Sequence, residues 1–214
     1  MISHSSIIVP EGLPFIIPLA VLTILLACFG FPKTAGIALL LTIFVLCFFR
    51  NPSRLVPEGK GLVVAPADGK VIIIEDVQLK ELVQGSFKKI SIFMNVFNVH
   101  VNRIPYSGTV KALRYKEGKF ISANLDKASS LNEQNAIVIV TEQGKEIVTV
   151  QIAGLIARRI VCWIREGMQV EKGDRFGLIR FGSRLDVYLP AEARVSVKLG
   201  DKVRAGETPL GVLP

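Results

Sequence analysis

Histidine is the side chain that most often takes up and returns a proton at neutral pH, and the 214-residue chain has two. His4 precedes a long apolar run. That leaves His100, in Phe97-Asn98-Val99-His100-Val101-Asn102, as the candidate base of whatever folds beyond the run. Alternation with Val99 and Val101 predicts a strand in which His100 faces away from both valines. Two other short sequences carry groups that a base could use. Ala67-Asp68-Gly69 places a carboxylate in a tight turn ahead of a β run, and Phe181-Gly182-Ser183-Arg184 places a hydroxyl on a turn between two β runs. There the Gly182–Ser183 peptide, held between rigid strands, is presented to attack by its own serine. Asp68, His100 and Ser183 thus supply an orienter, a base and a nucleophile, the parts of a serine-activating triad. Each also has an ordinary reading on its own: two hairpin turns and a structural histidine.

No metal site is expected. Cys28 and Cys47 lie inside apolar runs and Cys162 in the strand-like Ile160-Val161-Cys162-Trp163, so none has the pair spacing of a zinc or redox centre. They read as three free, mostly buried thiols in a reducing compartment.

The elements that must position the triad follow from composition. Half the residues are hydrophobic and mean hydropathy is +0.46, which excludes a disordered chain. The surplus is concentrated near the start. Residues 12–32 hold no charge, and after Lys33 the run 34–49 is again uncharged. Residues 1–50 therefore read as a membrane-anchoring helical hairpin turning at Gly30-Phe31-Pro32-Lys33, with a re-entrant hairpin as the alternative. Arg50, Arg54 and Lys60 follow the second run, and snorkelling of Arg50 and Arg54 would help that short run to span. By the positive-inside rule the remainder of the chain lies on the cytoplasmic side of the cell membrane. The net charge of +8 is divided as +2 on residues 1–60 and +6 beyond. A basic domain beside a bilayer is drawn to anionic headgroups; nucleic acid is not expected as a partner, because no basic stripe interleaved with aromatics occurs.

Residues 51–61, with Pro52, Pro57, Gly59 and Gly61, read as a linker. Residues 62–214 break into short β runs separated by glycine turns and form the catalytic domain, mostly β. Near the end the chain repeats itself: Gly167-Met-Gln-Val170-Glu-Lys-Gly173 and Gly200-Asp-Lys-Val203-Arg-Ala-Gly206 share glycine, valine and glycine at equal spacing. Such wrapping occurs in lipoyl- and biotinyl-type barrel-sandwich folds, which gives the expected architecture: a barrel-sandwich domain behind a two-helix anchor.

Several motifs in order carry a family resemblance. Ala67-Asp68-Gly69, Val99-His100 with Pro105 close behind, Asn132-Glu133, and Lys172-Gly173-Asp174-Arg175-Phe176-Gly177 leading into Phe181-Gly182-Ser183 together resemble the phosphatidylserine decarboxylase proenzymes, in their short-chain branch, over essentially the whole chain. The resemblance implies self-cleavage between Gly182 and Ser183, giving a β chain of residues 1–182 and an α chain of residues 183–214 that stay together as a heterodimer; a further homo-oligomer is left open. It implies that Ser183 becomes a covalent pyruvoyl group, with Asp68 and His100 activating the hydroxyl. No other cofactor is implied. The pyruvoyl carbonyl forms a Schiff base with the substrate amine and takes up the electron pair left by CO₂, with His100 as the candidate proton donor. Lys127, Asn132 and Glu133 would lie in a loop near the site. Arg158 and Arg159 would meet the lipid phosphate or the membrane, or be ordinary solvated arginines.

Two positions depart from the long-chain branch: Phe97 stands where that branch has a second histidine, and Gly-Ser-Arg replaces Gly-Ser-Thr. The same chemistry on an ether lipid, an archaetidylserine, leaves no distinguishing motif. Asp126-Lys127-Ala128 copies the tripeptide around the modified lysine of lipoyl carriers, and a non-enzymatic membrane-tethered adaptor is the other alternative.

Overall fold

The computed structural model describes residues 6–119, 131–154, 159–180 and 182–214. Lys127 with its Asp-Lys-Ala tripeptide, and Arg158, lie outside the described residues. The chain divides into two units, residues 1–53 and 54–214.

In the first unit a turn of 3₁₀ helix, Pro10–Gly12, leads into α1 (Leu13–Cys28), and α2 (Pro32–Phe48) follows after a turn in which Gly30 has a φ of 78°. Pro10–Cys28 is long and apolar enough to cross a membrane; Pro32–Phe48 is shorter. The two helices pack through small side chains. Ala35, Ala38, Thr42 and Val45 are the buried stripe of α2, at the 3–4 spacing that keeps one helical face together. Thr42 Oγ1 lies 3.3 Å from Thr23 Oγ1 of α1, and each hydroxyl also donates to the carbonyl four residues earlier. Phe15 and Phe49 stack at 5.7 Å. The cysteines are free, but Cys28 and Cys47 are exposed, not buried, because they fall on the outer faces of these helices; Cys162 is half-buried.

The second unit is mostly β. Its strands are β1 (Leu62–Val64), β2 (Gly69–Leu79), β3 (Gly85–Met94), β4 (Val101–Arg103), β5 (Gly108–Lys116), β6 (Gln134–Val140), β7 (Glu146–Ala153), β8 (Ile160–Cys162), β9 (Gln169–Val170), β10 (Arg175–Ile179), β11 (Ser183–Pro190), β12 (Arg194–Val195), β13 (Lys202–Val203) and β14 (Pro209–Val212). Eight of them form one curled antiparallel sheet in the order β13-β2-β3-β11-β7-β6-β5-β9, and two three-stranded sheets, β4-β10-β8 and β1-β14-β12, accompany it. The glycine-separated β runs expected beyond residue 61 are present as strands. β9 and β13, at two residues each, are too short for alternation to show. His100 stands one residue ahead of β4 instead of inside a strand.

The core lies on the inner face of the large sheet, where Ile90, Ile92, Met94, Ile137, Ile147, Leu185 and Val187 are fully buried. A second cluster, with Phe87, Val138, Val148 and Ile152, covers the opposite face. Burial on both faces explains why these strands read as continuous apolar runs. The repeated Gly-x-x-Val-x-x-Gly motif closes both edges of the sheet. Its copies contain β9, paired to β5, and β13, paired to β2. In each copy the valine is buried in the same core and both glycines have φ between 76° and 92°, a conformation costly for any residue with a Cβ. Residues 54–61 belong to this unit: Val56 packs against Gly173, and Gly61 bonds to Leu213.

Candidate active site

One end of the large sheet gathers the residues singled out above. Ser183 opens β11, hydrogen-bonded on both sides, and its Cα partners are Met94, the last residue of β3, and Ala153, the last of β7. Ala153 in turn bonds to Glu133 ahead of β6, its N–H donating to the Glu133 carbonyl at 2.9 Å. Asp68 precedes β2, which pairs with β3 from Lys70–Phe93 onward. The turn holding Asp68 also runs along the chain after His100: Val64 N–H donates to Pro105 O and Arg103 N–H to Pro66 O.

The three groups have different partners. Ser183 is fully buried, and its Oγ donates to Met94 Sδ at 3.3 Å. His100 is buried, with Nδ1 3.0 Å from Asn98 O. A carbonyl can only accept, so Nδ1 carries the proton and, in the neutral ring, Nε2 is the basic nitrogen. The carbonyl two residues back therefore fixes the tautomer of His100. Asp68 accepts from Arg54 Nη2 at 2.8 Å through Oδ2 and from Ala205 N–H at 2.8 Å through Oδ1. Arg54 also donates from Nη1 to Glu207 at 3.2 Å. Arg103 lies within this charged group and donates to Gly173 O at 2.7 Å. Burial, followed by the neighbouring charges of Arg175 and Arg54, lowers its guanidinium to about 10, so it remains a cation at neutral pH.

Beneath Ser183 runs a line of buried carboxamides. Asn135 Nδ2 donates to Gln151 Oε1 at 3.0 Å, Gln151 Nε2 to Asn102 Oδ1 at 2.8 Å, and Asn102 Nδ2 to Met94 Sδ at 3.7 Å. The line joins β6 and β7 of the large sheet to β4 of the small one. It ends on the same sulfur that takes the Ser183 hydroxyl. A thioether is a weak acceptor, so it holds the hydroxyl in place without withdrawing its proton.

Among the other expected residues, Asn132 is buried with Nδ2 donating to Ala153 O at 2.7 Å, and Glu133 accepts from Ile160 N–H at 3.3 Å. Both hold the backbone that borders Ser183. Arg159 is exposed, and its carbonyl accepts from Arg180 N–H at 3.3 Å.

A family model for phosphatidylserine decarboxylase matches residues 41–211. A phosphatidylserine decarboxylase proenzyme of Syntrophus aciditrophicus is 57% identical over 210 residues, covering 97% of this chain and 98% of that protein. Proteins of the same name are 51% identical in Desulfotalea psychrophila, covering 94% of each chain, and 49% identical in Geobacter sulfurreducens, covering all of both. The chain belongs to the phosphatidylserine decarboxylase family.

In this decarboxylase-family chain the strand after Gly182 also carries a buried ion pair. Arg184 and Asp186, both fully buried, meet through two contacts of 2.6 and 3.0 Å, and Arg184 Nη2 donates to Ser91 Oγ of β3 at 3.0 Å. They occupy the face of β11 opposite Ser183, as the period of two requires. Sequence reasoning missed this pair, Arg54, Met94 and the carboxamides. Asn102 alone carried a signal, standing two residues from His100.

Proposed function

We propose that the chain is a phosphatidylserine decarboxylase that cuts itself between Gly182 and Ser183 and converts phosphatidylserine to phosphatidylethanolamine and CO₂. The observation that carries this reading is the placement of Ser183. Its hydroxyl is sequestered at the head of a central strand, directly after Gly182, whose φ is +70° and around whose Cα a Cβ would meet nothing within 4 Å. The peptide to be cut is thus outside the sheet and able to reorganise, while the strand that keeps Ser183 is held from both sides.

In the maturation step the Ser183 Oγ adds to the Gly182 carbonyl carbon and gives its proton to His100 Nε2. The Gly182–Ser183 C–N bond then breaks, the freed nitrogen takes a proton, and an ester remains. Loss of the Ser183 α-proton with departure of the Gly182 carboxylate leaves a dehydroalanine. Water converts it to pyruvoyl and ammonia. Asp68, whose two oxygens are held by Arg54 and Ala205 N–H, supports the imidazolium that forms on His100. Ser183 fits the group it is to become, being fully buried on a strand that cannot drift when the chain is cut. The pyruvoyl group supplies an electrophilic carbonyl and a sink for the electron pair left by CO₂. His100, at the same end of the sheet, returns a proton to the substrate carbon, and Asn132 and Glu133 keep the bordering backbone in position.

The apolar helices serve as a two-span anchor on the cell membrane, with the second unit on the cytoplasmic side; the length of Pro10–Cys28 and the cations after α2 support this. The two edge motifs support kinship of the second unit with barrel-sandwich folds.

Intact-mass measurement of the purified protein tests the reading. Two fragments are expected, the smaller starting at residue 183 with an N-terminus that resists Edman sequencing and gains mass on borohydride treatment. A single 23.4 kDa species, as an adaptor would give, or a free serine amine at 183, would sink it.

A further inference from the structure

The turn that joins Met94 to His100 holds a phenylalanine in water. Phe97 is 73% exposed, yet the backbone around it is pinned. Asn98 N–H donates to Asn95 O at 3.0 Å, Asn95 N–H to Asn98 Oδ1 at 2.9 Å, and Phe97 N–H to Asn95 Oδ1 at 2.9 Å. Such side-chain-to-backbone bonds set the turn.

Phe97 is not alone at this end of the sheet. Beyond the other end of the row Met94, Ser183, Ala153 and Glu133, Leu131 is 43% exposed, and its carbonyl takes the N–H of Lys119. Lys119 and Arg159 are exposed and Arg180 is half-buried. Of the acids here, Glu133 is buried against Ile160 N–H and Glu117 lies between Lys116 and Lys119. Among the described residues, the rim around Ser183 is therefore apolar at two points and net positive between them.

We propose that this rim is the surface by which the second unit docks on an anionic lipid bilayer: Phe97 enters the interfacial layer and Lys119 and Arg159 hold headgroups. The proposal rests on the reading of the chain as a phosphatidylserine decarboxylase. Its substrate then carries two acyl chains that are costly to expose to water, and a headgroup that must reach a buried Ser183. Seating the rim in the interface lets the headgroup enter while the chains stay in the bilayer. An aromatic ring suits the apolar half of that layer, and lysine and arginine suit its charged half.

The test uses the full-length chain in vesicles of phosphatidylcholine with about one-third phosphatidylglycerol, flanking cations responding to such a surface charge. Trp163, the single tryptophan, is removed by Trp163→Phe, and Phe97→Trp puts the only indole on the rim. Its emission should be blue-shifted and quenched by lipids brominated on their acyl chains, and the quenching should weaken in Arg159→Glu and in high salt. Quenching of the same indole by aqueous iodide, with no effect of brominated lipid, would overturn the proposal. A second variant, Phe97→Ser, should lose roughly tenfold more turnover on vesicle-borne phosphatidylserine than on a dispersed short-chain one, in line with loss of a buried aromatic ring. Equal losses on both would also overturn it. Maturation at Gly182–Ser183, read on a gel in the same samples, reports on the decarboxylase reading separately from docking.

Discussion

Arg54 Nη2 lies 2.8 Å from Asp68 Oδ2, in a pair whose side chains are only 9% and 11% exposed. Arg54 is the first residue of the second unit, and its fork is shared between Asp68 and Glu207. With Ala205 N–H on the other oxygen, both oxygens of the Asp68 carboxyl are held in place. The cation read as a snorkelling flank of the membrane run is thus committed to the site.

Arg54→Met should therefore destabilise the second unit. Removing one member of a buried pair costs about 3–5 kcal/mol; with Glu207 partly exposed, the lower figure is expected here. That corresponds to a fall in Tm of roughly 6–12 °C for a domain of this size. Adding Asp68→Asn should return part of the Tm but leave maturation slow. Thermal melts and the gel separate the two effects, and an Arg54→Met chain that melts like the wild type would refute the clamp.

A chain beginning at Arg54 should mature, because every residue assigned to maturation lies in the second unit. A chain beginning at Leu62 should mature much more slowly, having lost Arg54 together with the Val56 and Gly61 contacts. Comparable rates of fragment formation in the two would show that residues 54–61 are only a connection.

Ser183→Ala should leave a folded, uncleaved chain. Gly182→Ala should fold as well, since there is room for the methyl group. A φ of +70° costs an alanine about 1–2 kcal/mol; relief of that strain would turn the carbonyl away from Ser183 and slow maturation about tenfold. Fragment formation followed over time checks both.

Asn102→Leu should strand the buried Gln151 amide without its acceptor, at a cost of about 1–3 kcal/mol. It should also free Met94 to move, slowing maturation. Met94→Leu keeps the volume and removes only the acceptor, so its melt should stay close to wild type while its maturation slows. Unchanged maturation in Met94→Leu would remove sulfur from the positioning of Ser183.

Arg184→Met leaves Asp186 as an unpaired buried anion and should cost about 3–5 kcal/mol, whereas Arg184→Met with Asp186→Leu should be far milder. If the pair holds the α chain after cleavage, the single variant should release residues 183–214 at lower denaturant than the wild type. Chromatography of matured protein in increasing urea measures this.

The sequence by itself determined a good deal: the apolar start, the β-rich remainder and the paired edge motifs; it also singled out Asp68, His100 and Ser183 as candidates for the chemistry. These are legible because hydropathy, glycine turns and chemically distinctive side chains are local properties. Tertiary structure alone decided that Arg54 reaches Asp68 and that a methionine receives the serine hydroxyl. It likewise decided that Asn135, Gln151 and Asn102 meet in a line. Each of these depends on strand register between segments far apart in the chain. A shift of one residue would turn Ser183 to the face now held by Arg184 and separate it from Met94, and no local pattern records which register the whole sheet adopts.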